Sequence, residues 1–370
     1  MAQGFAPYLL HHIKQIAGVS TPQYKIETPG FLNLLLSQSK PTELRLNSDN
    51  GHKKTVQVKS KQRATKDMTD TTKSCDNTLV PIWQEQTVSL DVTRQIAFHI
   101  PDETIAQYMD DASRTVAIGQ PATPIMNEFF ENIMTHTGAL MEAINDDLLT
   151  IAAANIGVNR VTGSNATQTI NINKDATINP LNDGIVKMLS DYKVNGGVGR
   201  PQIVGAGLML NLELQKMALG QAQSGLNIAN LMNYDFYYDQ ETQNALGTNQ
   251  VVMYEPNAVQ LVEYFEYTGF KAGVKPGGST FGVITLPVMV NGIIKPVSFD
   301  FQLRYNDCAT EFTDAYYGTS LTLDKGYNLI LSKQCGLFTI GSQAYRGTDV
   351  LNGNRGSYRF TISNDCETCS

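Results

Sequence analysis

Charge is what this chain has least of. Of its 370 residues only 17% are charged, against 42% hydrophobic, whereas soluble domains usually carry roughly 25% charged residues. Much of the surface is therefore expected to face protein rather than water. No run of about 18 apolar residues occurs, which leaves no candidate for a membrane-spanning helix. The opening MAQGFAPYLLHHIKQ lacks the order of a secretion signal, a charged stretch followed by a continuous apolar one. These absences predict a soluble, cytosolically made protein with no membrane partner. The cysteines Cys75, Cys308, Cys335, Cys366 and Cys369 are scattered and odd in number, which excludes a disulfide framework. No internal repeat with a period of about 20 to 50 residues is present. The net charge of −7 argues against a protein that reads nucleic-acid sequence.

What charge there is sits unevenly. Residues 43–67, ELRLNSDNGHKKTVQVKSKQRATKD, read as a long two-stranded ribbon with a turn at Asn47-Ser48-Asp49-Asn50-Gly51. Val56 and Val58 are the only sizeable apolar residues of its second run. Between Arg45 and Lys66, the basic residues Arg45, Lys53, Lys54, Lys59, Lys61, Arg63 and Lys66 stand against one acid, Asp49, so that window carries +6 in a chain of −7 and the remainder carries −13. A lone hairpin is marginal in water, so the ribbon is expected to lie on something else. Three readings are open: contact with nucleic acid, a solvated disordered arm, or docking onto an acidic patch of a neighbouring copy. No aromatic residue interleaves the charges to stack bases, and Thr55, Val56 and Val58 favour an ordered strand. Docking on a second copy is the preferred reading, with the seven basic residues as its contact set.

The strongest local signal is a helix from Pro124 to about Asn155. Thr123 suits the N-cap, Pro124 the first helical position, and Gly157 follows the end. Ile125, Phe129, Ile133, Leu140, Ile144, Leu148 and Ile151 form one stripe. Before it, Gly30 to Leu36 looks helical within an otherwise arm-like stretch, and Val88, Leu90 and Val92 open a strand predicted to run to Ile100. After it come a strand at Thr169–Asn173, a helix near Leu181–Lys193, a strand at Gln202–Val204, a helix near Leu208–Leu219 and a strand at Gln250–Tyr254. The last third is mostly β. Asn291-Gly292 is the turn of a hairpin, Val297, Phe299, Phe301, Leu303 and Tyr305 alternate without a break, and Tyr327–Leu331 and Arg359–Ile362 give further strands. At 370 residues the chain is long enough for two domains, or for one with large insertions.

Candidate chemistry is sparse. Gly205-Ala206-Gly207 follows a strand and opens a helix, but Leu210 stands where a dinucleotide fingerprint has its third glycine. A plain strand-to-helix turn is the better reading. Cys366-Glu367-Thr368-Cys369 has redox or half-zinc spacing without a second pair or a downstream His. His11, His12, His52, His99 and His136 are far apart, and Asp146-Asp147 reads as a solvated helix face. There is no nucleophile elbow, P-loop or HExxH. The residues offer no catalytic constellation, no metal site and no cofactor.

Taken in order, these segments resemble the major capsid proteins of tailed bacteriophages, the Hong Kong 97 fold. Thr123-Pro124 through Gly157, ending in IAAANIG, resembles the family's spine helix, and Glu43–Lys66 its extended loop. Gly199-Arg200-Pro201-Gln202-Ile203-Val204 followed by a helix is similar to the start of its axial domain, and YNLILSKQCGLFTI (327–340) to its late returning strand. The resemblance implies an α+β capsid fold with an N-terminal arm at 1–40, an extended β-ribbon loop at 41–77 and a peripheral domain at 78–175 carrying the spine helix at 124–155. It further implies a mixed α/β axial domain at 176–280, returning strands at 281–340 and a C-terminal extension at 341–370. Two departures stand out. No long scaffolding-like segment precedes the arm, which suggests a separate scaffold or a mature form, and 341–370 extends past the usual end.

The implied function is structural, with no active site. Copies would assemble as hexamers and pentamers of an icosahedral shell in the virion, built in the bacterial cytoplasm. Portal and scaffolding proteins would be assembly partners, and double-stranded DNA would be packaged without sequence preference. An acidic wall suits that role, since tight phosphate binding would hinder packing and ejection. Lys–Asn cross-links occur in some relatives; Lys53, Lys54, Lys59 and Lys61 lie in the corresponding loop. An encapsulin-like compartment or another virion component is the structural alternative, and a nucleotide-dependent enzyme resting on Gly205 and Gly207 is the alternative of another class.

Overall fold

The alternation from Val297 to Tyr305 becomes one arm of a long antiparallel hairpin, Thr280–Val290 with Ile293–Asn306. Its turn is the Asn-Gly pair: Asn291 and Gly292 take φ of 52° and 74°, the two left-handed positions that a tight hairpin needs to match strand twist. Register runs from Val290↔Ile293 to Thr280↔Leu303, so Val297, Phe299, Phe301 and Leu303 share one buried face with Leu286 and Ile284. The chain is described here by a computed structural model over residues 26–38, 44–47, 55–61, 83–107, 124–154, 168–171, 180–194, 199–207, 209–211, 214, 234–268, 272–274, 279–306, 310–313, 320–323, 326–339 and 356–363. It divides into two units, one of Met1–Thr28, Val92–Ile144 and Glu263–Cys335, the other of Pro29–Asp91, Asn145–Val262 and Gly336–Ser370. Each is assembled from separate stretches of chain.

The hairpin belongs to a seven-stranded sheet. Ile293–Asn306 pairs with Gly326–Thr339, which takes Val92–Pro101 on its other side, from Gly326↔Pro101 to Cys335↔Val92. Ile26–Glu27 adds in parallel to Thr280–Val290. One ammonium group interrupts the apolar face. Lys333 is 1% exposed, pairs with Glu263, donates to Ser298 O at 2.9 Å and lies 5.0 Å from the Phe299 ring centre and 5.5 Å from that of Phe265. Asp300, also buried, accepts the Glu266 and Tyr267 N–H groups at 2.8 and 3.1 Å and so fixes the turn after Val259–Tyr264.

The second unit is built on a five-stranded mixed sheet in the order Gln168–Asn171, Ser357–Ser363, Gln250–Tyr254, Gln202–Gly205, Asp235–Tyr238. The outer pairs are parallel and the inner ones antiparallel. Helix Pro180–Val194 sets Ile185, Met188 and Tyr192 on Ile203, Val251, Met253 and Phe360, with the Tyr192 and Tyr358 rings edge to face at 5.5 Å. Residues 341–370 were expected as an extension. Ser357–Ser363 is instead an interior strand, with Phe360 and Ile362 buried because their face of the sheet packs on helix Pro180–Val194.

Three other expectations change. Residues 30–37, placed in an arm, form a helix whose Phe31, Leu32, Leu34 and Leu35 are all buried; four large apolar side chains in eight residues are a core sequence. The remainder of the expected arm, through residue 25, lies outside the described residues. The strand expected at Val88–Ile100 is two strands, Trp83–Ser89 and Val92–Pro101 in different sheets. Val88, Leu90 and Val92 are all buried, and alternation records burial without recording which backbone is paired. The long helix spans Pro124–Ala154, 31 residues or about 47 Å. Ile133, Leu140, Ile144 and Leu148 are buried as the stripe predicts, and Met134, Thr137, Met141, Asn145, Leu149 and Ala152 widen it. The Ile125 and Phe129 side chains and the flanking Thr123 and Gly157 lie outside the described residues.

Two stability outcomes follow from this packing. Ile144→Asp buries an unpaired charge and is expected to cost about 4 kcal/mol or more, read as lost soluble yield or a collapsed melting temperature; normal values would place the stripe on the surface. Glu263→Ala leaves Lys333 buried without its partner and should cost about 3–5 kcal/mol. The double variant Lys333→Met, Glu263→Leu should recover most of that in denaturant titration.

Candidate assembly surface

The basic ribbon is a three-stranded sheet. Leu44–Asn47 and Thr55–Lys61 pair as expected from Leu44↔Val58 to Asn47↔Thr55, and Trp83–Ser89 adds to the other side of the central strand from Thr55↔Ser89 to Lys61↔Trp83. The apolar members face one way: Val56, Val58 and Val88 are buried within this chain. The carbonyl of Ser89 passes so close to Gly336 that a Cβ there would lie 2.3 Å from it. The sheet's apolar face therefore finds its cover in its own subunit, which corrects the expectation that this face of the ribbon needs a neighbour.

Register decides which basic residues share the other face. Residues directly opposite on paired strands project to the same side, and successive residues alternate. Arg45 stands opposite Gln57, Lys59 opposite Glu85 and Lys61 opposite Trp83, so the positions of Arg45, Lys59 and Lys61 fall together, away from Val56 and Val58. Lys53, Lys54, Arg63 and Lys66 lie outside the described residues. Glu85 is the residue that sequence reading missed. Its signal was present in Trp83-Gln84-Glu85-Gln86-Thr87-Val88, a β-favouring run, but nothing local announces that this run pairs with the ribbon.

The other candidates resolve into structure. His99 Nδ1 is 2.8 Å from Asn328 Oδ1, its cross-strand neighbour. His136 Nδ1 is 2.7 Å from Asn132 O, and its ring lies 4.9 Å from that of Phe98. Asp146 is exposed, and partial burial, then Glu241, raise its carboxyl above the ordinary range. Cys335 is buried, while Cys366, Cys369, His11, His12 and His52 lie outside the described residues. Among the described residues no group of three or more His, Cys, Asp or Glu could hold a metal ion, and no helix is long and apolar enough to cross a membrane.

Gly205-Ala206-Gly207 is a turn closed by packing. A Cβ on Gly205 would lie 2.5 Å from Val251 Cγ1, and one on Gly207 would lie 2.5 Å from Gln243 Nε2. Gly207 has φ of 59°, and the helical residues 209–211 follow, with the Met209 N–H donating to Ala206 O at 3.3 Å. Asn249 Oδ1 would lie 3.4 Å from the same Gly207 Cβ, so side chains pack directly on the turn.

No protein-family model and no curated protein matches the chain. Among solved structures it is similar to ones from phages. The capsid of cyanophage P-SCSP1u is 11% identical, with 94% of this chain and 92% of that one covered and a TM-score of 0.42. The capsid asymmetric unit of cyanophage A-1(L) is 10% identical, with 92% and 94% covered and a TM-score of 0.43. The mature capsid of bacteriophage PhiM1 is 9% identical, with 84% and 82% covered and a TM-score of 0.36.

Gly207→Val forces a β-branched residue into the left-handed region and should destabilise the chain by about 1–3 kcal/mol. Calorimetry with ATP or NAD should show no binding heat before or after the change. Binding that disappears in the variant would restore the enzyme reading.

Proposed function

We propose that this chain is a shell-forming structural protein, the major capsid protein of a tailed bacteriophage, whose copies associate as hexamers and pentamers around double-stranded DNA in the virion. The observation that carries the reading is the charge division set on strands. The positions of Arg45, Lys59 and Lys61 lie on one face of a sheet whose other face carries the buried Val56, Val58 and Val88, while the chain outside residues 45–66 is net −13. A basic face on an acidic body is complementary to another copy of the same body, and closed symmetry repeats that contact at every boundary. The low charged fraction supports it, since surface poor in charge is surface suited to burial.

The contact set under this reading is Arg45, Lys53, Lys54, Lys59, Lys61, Arg63 and Lys66, meeting Asp and Glu of the adjacent subunit. Each exposed pair contributes about 0–1 kcal/mol, so the contact acts by repetition. In this reading the chain's part is organised as the ribbon and its third strand, a peripheral unit with the seven-stranded sheet, and an axial unit around the five-stranded sheet. Portal and scaffolding proteins would act during assembly in the host cytoplasm. No catalytic step is assigned to the chain.

Negative-stain images and light scattering of purified protein test the reading. Closed shells containing DNA or competent to package it are expected; shells enclosing a protein cargo would mark a compartment instead, and a stable monomer at high concentration would overturn self-assembly. Lys59→Gln, Lys61→Glu and Arg63→Glu together should leave the fold intact and weaken assembly, with glutamine at 59 to avoid setting two acids opposite each other at Glu85. Added salt should weaken the wild-type contact in the same direction. Undiminished assembly of the triple variant at low salt would remove the ribbon from the interface.

A further inference from the structure

One position on the ribbon sheet breaks the alternation that the rest of it keeps. Pairing between Thr55–Lys61 and Trp83–Ser89 runs without interruption from Thr55↔Ser89 to Lys61↔Trp83, so no bulge shifts the sides and every second residue falls on one face. Val56, Val58 and Val88 are buried, while Thr55 and Gln57 are half-buried and Thr87 and Ser89 exposed. A Cβ on Gly336 would meet Ser89 O at 2.3 Å and Val88 Cγ1 at 3.2 Å, so the strand carrying Gly336 lies against the valine side. Counting by twos from Ser89 through Thr87 and Glu85 reaches Trp83, the only tryptophan of the chain. A tryptophan thus stands at a position of the open face, where the pattern calls for a polar residue.

The positions around it are cationic. Lys61 is directly opposite Trp83, Lys59 is opposite Glu85, and Arg45 shares a row with Gln57 and Thr87. One large ring among basic and polar residues is the composition of an interface centre. A tryptophan buries about 150–250 Å² when covered, and Trp and Arg are among the residues whose truncation costs most at protein contacts. A nucleic-acid strand would also stack on a tryptophan flanked by cations. Glu85, however, falls between Trp83 and Thr87 on the same face and opposite Lys59, where it would repel phosphates. The remainder of the chain, net −13 outside residues 45–66, offers the sign that the three cations complement.

We propose that Trp83 is the apolar anchor of the basic face, seated in a pocket on a second copy of the chain that is apolar at its floor and rimmed by Asp or Glu. This inference rests on the shell reading and adds to it the residue that holds the contact once the charges have brought two copies together. Arg45, Lys59 and Lys61 steer and align, and the ring sets how long the copies stay. Salt separates the two contributions, because ionic pairs are screened and burial of a ring is not.

Intrinsic fluorescence of the full chain tests it. With one tryptophan in the sequence, emission excited beyond the tyrosine band reports position 83 alone. As light scattering rises on assembly, emission should move to shorter wavelength and quenching by acrylamide should fall in step. Trp83→Ala should leave the melting temperature of the unassembled chain unchanged and raise the concentration needed for assembly by about tenfold or more, with Trp83→Phe in between. The alanine variant's remaining assembly should vanish at a salt concentration that the wild type withstands. Wild-type assembly with unchanged emission, or a Trp83→Ala chain that assembles like wild type, would overturn the anchor and leave the shell reading standing. A lowered melting temperature of the unassembled alanine variant would place the ring in its own subunit's core and overturn it as well. So would quenching by a single-stranded oligonucleotide added to the unassembled chain, the mark of base stacking. A wild-type chain that never assembles would remove both readings.

Discussion

An ammonium group placed among aromatic rings dictates how the seven-stranded sheet must be aligned. Lys333 meets a carboxylate from Val259–Tyr264, a carbonyl from Ile293–Asn306 and two phenyl rings at one point. Removing a charge from water costs several kcal/mol, recovered only where the partner and the remaining hydrogen bonds are in place. A slip of one residue would turn Lys333 to the opposite face and leave Glu263 without it. The apolar face resists such a slip as well, and the buried pair adds its own penalty in favour of the same register. Asp300, holding the turn that follows Glu263, fixes the carboxylate's own strand from the other end.

Such long-range dependence explains what was legible in the amino-acid sequence and what was not. The Asn291-Gly292 turn was readable because its signal is contained in two residues and the alternation beside them. The helix Pro124–Ala154 was readable because its stripe repeats over 31 residues. The third strand of the ribbon was not, since Trp83–Ser89 joins Thr55–Lys61 across an interval of more than twenty residues and no local feature encodes that pairing. Residues 30–37 looked like an arm because Pro29 and Gly30 break the pattern on one side. Their membership of the core depends on Asp239 and Asn145, distant groups that receive the amides of Phe31 and Leu32. Within the basic set, sequence located the charges but not their faces; only register separates the face of Arg45, Lys59 and Lys61 from that of Val56 and Val58.

Glu85 also changes how the ribbon acts. An isolated basic hairpin would attract any polyanion, DNA included. A third strand carrying an acid opposite Lys59 interrupts that field, and discrimination between partners then rests on matched positions more than on total charge.

The five-stranded sheet has a temporal side. Its second strand, Ser357–Ser363, lies between Gln168–Asn171 and Gln250–Tyr254, strands made long before it. During synthesis those two cannot be bridged until Ser357–Ser363 has emerged, so the nascent unit stays open while some hundred residues are added at about 5–20 residues per second. A chain lacking this strand would present two unpaired edges and the apolar side chains that Phe360 and Ile362 cover. Synthesis of this strand thus acts as a checkpoint, and products truncated before it are marked by the open sheet they leave behind.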